Sequence, residues 1–100
     1  ERCIFHISNM ITKLIQLKAK PGKSTELNSL VQSLIEPSRN EVGCIKYDAY
    51  SDESGTIYLL EEWKSAENLD AHKLTAHFLK FKDAGPELIE EKGSIALKPL

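Results

Sequence analysis

The segment Ile57-Tyr58-Leu59-Leu60-Glu61-Glu62-Trp63 constrains this chain more than any other stretch. Successive side chains of an extended strand point to opposite faces, so Ile57, Leu59, Glu61 and Trp63 share one face and Tyr58, Leu60 and Glu62 the other. Apolar residues occur on both. A strand with one solvated face alternates cleanly between apolar and polar residues, and this one does not. Helices of one small domain cover only one face of a sheet, so the strand predicts that a second copy of the chain packs against the other face, as a homodimer.

The remaining elements follow from period and punctuation. Ile11 to Ala19 is short, rich in β-branched residues and roughly alternating, which reads as a first strand. Lys20-Pro21-Gly22-Lys23 interrupts it, and Ser24 is a plausible cap for the helix that follows. In that helix Leu27, Leu30, Val31, Leu34 and Ile35 are spaced 3, 1, 3 and 1, a single apolar stripe that reads as core. Pro37 disturbs its end, and Ser38 to Glu41 continues it or makes a polar turn before Gly43. A second strand runs from about Cys44 to Tyr50. The turn cluster Ser51-Asp52-Glu53-Ser54-Gly55 joins it to a third strand, Thr56 to Trp63, as an antiparallel hairpin. Ser65 and Thr75 each cap a helical stretch, Gly85-Pro86 breaks the second, Glu87 to Glu91 reads as a last short helix, and Ser94 to Lys98 as a terminal strand. The order β, α, β, β, α, β is that of an α+β, ferredoxin-like fold: a four-stranded antiparallel sheet with helices on one face.

One hundred residues make one domain with little core to spare. Residues 10–100 are the interpretable domain. Residues 1–9 precede Met10 and read as an N-terminal extension, or as a segment foreign to the natural chain. Within it Arg2 to Ile7 has enough β-forming residues to add a strand, and His6 is given no special role. Thirteen basic and fifteen acidic residues are scattered, without the basic stripe of a nucleic-acid surface. No apolar run reaches the roughly 18 residues of a membrane span, and no signal-peptide core is evident. Cys3 and Cys44 are too few for a disulfide framework, so a reducing, cytoplasmic setting is expected.

An ordered set of segments carries a family resemblance: Pro21-Gly22-Lys23, then Ser38 to Tyr47 (Ser-Arg-Asn-Glu-Val-Gly-Cys-Ile-Lys-Tyr), then Leu60-Glu61-Glu62-Trp63-Lys64-Ser65, Leu69-Asp70-Ala71-His72 and Thr75-Ala76-His77-Phe78. In that order and spacing the chain resembles the antibiotic biosynthesis monooxygenase family, including its quinol monooxygenase members. The resemblance implies a dimeric α+β barrel with a pocket in each subunit between sheet and helices. It also implies oxidation of phenolic, quinol or polyketide-like aromatics with molecular oxygen and no flavin, haem or metal. Other members of the superfamily have diverged to isomerases, haem-degrading enzymes and proteins of no known activity, so fold fixes function poorly.

Read residue by residue, the candidates are few. His72 lies three residues after Leu69 and four before Ala76, on their helical face and turned toward the sheet. Glu61 shares a strand face with Leu59 and Trp63. A buried carboxylate needs a partner, and His72 is the one expected; such a pair raises the histidine pKa and orients the ring. His72 is then a base for a phenolic proton with Glu61 orienting it. An unperturbed phenol and imidazole differ by about 3.5 pKa units, so the transfer is uphill by roughly 5 kcal/mol unless the pocket stabilises the anion. Trp63, Tyr47, Phe78 and Phe81 would line a dry pocket holding the aromatic and oxygen, with His77 at its mouth. The competing reading makes Glu61 and His72 a hydrogen-bonded pair that only ties helix to sheet, and Trp63 and Tyr47 plain core.

Arg39 is a candidate to bind an anionic substrate group, but a charge at a helix end near Glu36 and Glu41 more often makes a surface ion pair worth under about 1 kcal/mol. His72 and His77, five residues apart, are not the i, i+4 pair of a helical zinc site, and no third ligand is evident, so no metal is expected. Three function classes remain: a cofactor-independent monooxygenase, an oxygen-independent isomerase of a small phosphorylated, sugar-like signal molecule, and a non-enzymatic small-molecule-binding stress-response protein. Haem degradation is disfavoured, because the places matching that branch's asparagine and tryptophan hold Ile15 and His72.

Overall fold

The computed structural model describes residues 9–100. The expected strand Arg2 to Ile7, His6 and Cys3 lie outside the described residues. The elements are β1 (Ile11–Ala19), α1 (Ser24–Arg39), β2 (Cys44–Ser51), β3 (Ile57–Trp63), α2 (Ala66–His72), α3 (Ala76–Ala84), a 3-10 turn (Gly85–Glu87) and β4 (Ile89–Leu97). The four strands form one antiparallel sheet in the order β2-β3-β1-β4. This is the ferredoxin-like arrangement, with the helices packed on one face.

The helical stripe of α1 does what its spacing dictates. Leu27, Leu30, Val31 and Leu34 are buried and Ile35 is half-buried, each fully buried Leu or Val contributing about 1.5–3 kcal/mol relative to exposure. They pack into two apolar clusters between the helices and the sheet. One contains Leu17, Ile57 and Leu88, the other Tyr47, Leu59, Trp63 and Leu69. Burial along β3 alternates without a break: Ile57, Leu59, Glu61 and Trp63 buried, Tyr58, Leu60 and Glu62 half-buried. The two predicted caps are present, Ser65 Oγ accepting from the Asn68 backbone N–H and Thr75 Oγ1 from that of Phe78.

Two local expectations are corrected. Ser24 does not cap α1; it is the first helical residue, and Lys23 occupies the cap without a side-chain bond. The turn closed by the Lys23 N–H on the Lys20 carbonyl puts the Lys23 carbonyl in place to accept from Leu27, which starts the helix one residue early. Of the two courses left open after Pro37, α1 takes the helical one as far as Arg39, and the polar turn follows. The expected helix at Glu87–Glu91 is a 3-10 turn followed directly by β4. Strand β1 offers a free edge from Ala19 to Thr12, and Ile89 to Leu97 pairs along it; tertiary pairing overrides the helix preference of consecutive glutamates.

Gly43 is required where it stands. Its φ of +83° is in the left-handed region, and a Cβ there would fall 2.2 Å from the Asn68 side chain. This close approach lets the loop from α1 into β2 lie against α2, and it sets up the site described below. The opposite sheet face is covered by no helix among the described residues. Register places Leu14, Tyr50, Tyr58, Leu60, Ile95 and Leu97 on it, and Tyr50, Ile95 and Leu97 are 57%, 46% and 40% exposed.

Candidate functional site

His72 closes α2, and the Leu69–His72 spacing turns both side chains inward. Its ring is 1% exposed and enclosed by aromatic groups: Trp63 at 4.7 Å between centroids, Phe78 at 5.1 Å, Tyr47 at 5.4 Å. A buried imidazole needs polar partners, and the one it has is Glu41. Glu41 Oε2 lies 2.7 Å from His72 Nδ1 and 2.6 Å from His77 Nε2.

A carboxylate only accepts hydrogen bonds, so the two nitrogens that face it are the protonated ones. In neutral His72 the proton therefore sits on Nδ1, and Nε2 keeps its lone pair. That Nε2 is buried and has no hydrogen-bond partner among the described residues.

The expected Glu61–His72 pair is not formed. Glu61 Oε1 accepts from the Trp63 indole Nε1 at 2.8 Å. The two side chains are neighbours on one strand face, and an indole N–H buried at 0% exposure would otherwise go unsatisfied. The carboxylate that His72 needs comes instead from the loop after α1, where a polar turn carries no signal of burial. Glu41 is the residue that sequence reasoning missed. Its one available cue was its neighbour Gly43, which marks a close backbone approach.

Beside His72 is a cavity of about 280 Å³ between the sheet, α1, α2 and α3. Ile15, Leu34, Tyr47, Leu59, Leu69, Phe78 and Phe81 form its apolar wall; Glu61, His72, Lys13, Lys73, Lys92 and Ser94 supply the polar groups. Tyr47, Phe78 and Phe81 line this cavity, and Glu61 and His72 both border it without a hydrogen bond between them. Trp63 does not line it. Its ring lies behind His72, holding Glu61. His77 does not line it either, but stands on the far side of Glu41 with its side chain 20% exposed. Burial, reinforced by the charge of Glu61, pushes the Tyr47 phenol well above its ordinary pKa, so it remains a donor at all moderate pH.

The expectation that no third ligand accompanies His72 and His77 is corrected in part: Glu41, His72 and His77 bring three potential donor atoms within 4.8 Å of one another. Each imidazole already spends its facing nitrogen on a hydrogen bond to the same oxygen, so the trio is internally satisfied as a carboxylate bridging two rings. Arg39 pairs with Asp48 at 2.8 Å rather than with Glu36 or Glu41, and its Nε donates to the Tyr47 carbonyl. Burial, with the charges of Glu41 and Glu61, raises the Cys44 thiol, which disfavours a thiolate nucleophile.

An antiparallel sheet with helices on one face, a histidine fixed by a remote carboxylate and an aromatic-walled cavity beside it define a small α+β protein of ferredoxin-like fold. Residues 10–84 match the model of the family described as antibiotic biosynthesis monooxygenase, and the chain belongs to that family. It is 39% identical over 82 residues to YcnE of Bacillus subtilis, which bears a provisional monooxygenase name, covering 80% of this chain and 86% of that one. It is 37% identical over 83 residues to the uncharacterized Synechocystis protein sll1783, covering 81% of this chain but 56% of that longer one. Among solved structures, PA3566 of Pseudomonas aeruginosa superposes with a TM-score of 0.89 at 32% identity, over 95% of this chain and 98% of that one. Among the described residues no helix is long and apolar enough to cross a membrane.

Proposed function

We propose that this protein is a cofactor-independent monooxygenase that oxidises a small phenolic or quinol-type aromatic with molecular oxygen, and that His72 is its base. The observation that carries this reading is the division of labour on one imidazole: Nδ1 is held by Glu41, Nε2 has no hydrogen-bond partner among the described residues, and His72 lines a largely apolar cavity. Nε2 takes the phenolic proton, Nδ1–H stays on the carboxylate, and the imidazolium so formed is stabilised by that same carboxylate. His77 joins the carboxylate to the surface.

The electrons come from the substrate. In an anthrone-type reaction a CH₂ group and O₂ become a C=O group and water, a balance that needs no further reductant. An apolar cavity of about 150 Å³ holds benzene, so about 280 Å³ suits a substituted ring or a fused pair. The working unit in this reading is a homodimer joined through the open sheet faces, in a cytoplasmic setting.

Oxygen-electrode assays of metal-free protein against hydroquinones, naphthols and anthrones test the reading. Substrate-dependent uptake that falls by about 10²–10⁴-fold in His72→Ala supports it. No uptake with any of these classes, or anaerobic conversion of substrate to an isomer, overturns it.

A further inference from the structure

The cavity beside His72 has a charge that the chain as a whole does not. The sequence carries a net charge of −2, yet three lysines, Lys13, Lys73 and Lys92, and a single carboxylate, Glu61, line this space. The lysines come from three different elements: β1, the residue after α2, and β4. Lys13 and Lys92 both project to the helix-covered side of the sheet, where register sets Lys13 against Glu61 and Lys92 against Leu17.

Among the described residues, Lys18 pairs with Glu90 and Lys23 with Glu26, while Lys13, Lys73 and Lys92, like most of the other described lysines, form no ion pair; what sets these three apart is that they border one cavity. Lys13 lies opposite Glu61 without bonding it, since that carboxylate is held by the Trp63 indole. Three lysines against one carboxylate around an otherwise apolar cavity bias its potential toward positive where a ligand enters.

We infer that the substrate is an anionic aromatic, a hydroxylated ring bearing a carboxylate or a similar acidic substituent, with the ring among Tyr47, Phe78 and Phe81 and the anion at Lys13, Lys73 and Lys92. The inference rests on this cavity being the substrate site. A phosphorylated sugar satisfies the lysines but not the walls, because its hydroxyl groups would lose water against aromatic and aliphatic side chains without gaining partners. A neutral phenol satisfies the walls and leaves the lysines idle.

Binding is measured by calorimetry under anaerobic conditions, so that turnover plays no part, with a hydroxynaphthoate, naphthol and ribose phosphate as probes. The hydroxynaphthoate should bind at least about tenfold more tightly than naphthol at low salt, and the gap should close as salt screens the lysines. Lys13→Gln, Lys73→Gln and Lys92→Gln should each weaken the hydroxynaphthoate roughly three- to tenfold without changing naphthol, and the corresponding arginine variants should retain binding. Lys18→Gln, outside the cavity, is the control. Equal affinity for hydroxynaphthoate and naphthol, no binding of either, an equal loss in Lys18→Gln, or ribose phosphate binding as tightly as the aromatic anion overturns the inference. Tight lysine-dependent binding without oxygen uptake would instead sink the monooxygenase reading and leave this one standing.

Discussion

Glu41 and His72, 31 residues apart in the chain, meet at 2.7 Å between Oε2 and Nδ1, and this contact decides which nitrogen of the imidazole is free to act. Replacing Glu41 with alanine removes the acceptor for two rings at once. Glu41→Ala should lose about 1–3 kcal/mol of stability, since His72 Nδ1–H is buried without it. Nitrogen NMR of the His72 ring should then report a mixture of tautomers in place of one. Under the proposed function kcat falls by at least about tenfold. An unchanged single tautomer in Glu41→Ala would show that something other than this carboxylate fixes the ring.

The Trp63–Glu61 bond makes a second, separable prediction. Trp63→Phe deletes the donor to a carboxylate that is only 7% exposed, and should cost about 1–3 kcal/mol beyond the loss of ring volume. In the Trp63→Phe background, Glu61→Gln should recover part of that loss because it removes the buried charge, whereas alone it should not stabilise. A double-mutant cycle by urea unfolding reads the coupling.

The β2–β3 turn carries a pH dependence with a definite sign. Asp52 Oδ1 accepts from the Ser54 hydroxyl and from the Ser54 and Thr56 backbone N–H groups, and Oδ2 from the Tyr58 hydroxyl. These bonds, the two hydroxyls foremost, hold the carboxyl down at about 2. Because the folded pKa is depressed, the stabilisation is present above the ordinary carboxylate range and disappears as pH falls toward 2. The stability difference between wild type and Asp52→Ala should therefore be constant above about pH 5 and shrink through the acid limb, as followed by thermal melts at each pH.

The open sheet face predicts assembly. Ile95 and Leu97 on β4 and Tyr50 on β2 are too exposed, and too close to Leu14 and Leu60, for a solvated surface. The wild type should sediment as a dimer at micromolar concentration, and Ile95→Glu should shift it toward monomer with the cavity residues intact. A wild-type monomer would show that the face is covered in some other way.

The sequence by itself determined the parts whose signals are local. The 3-1-3-1 stripe of α1, the caps at Ser65 and Thr75 and the parity of Ile57 to Trp63 are set within one helical turn or one strand, where side-chain period and backbone hydrogen bonding act directly. The same signals brought His72 inward and made Tyr47, Phe78 and Phe81 candidates for the cavity wall. Only the tertiary structure decided the partners. Glu41 reads in sequence as one acid in a polar turn, and it becomes the anchor of two histidines only when Gly43 lets that loop close against α2. Glu61 went to Trp63, not to His72, because an adjacent indole on the same strand face met its need at shorter reach. Strand β4 likewise takes its start at Ile89 from the free edge of β1, a partner some 70 residues earlier in the chain. Hydrogen-bond partners and strand edges are chosen by proximity after the chain has closed, and no local pattern records that choice.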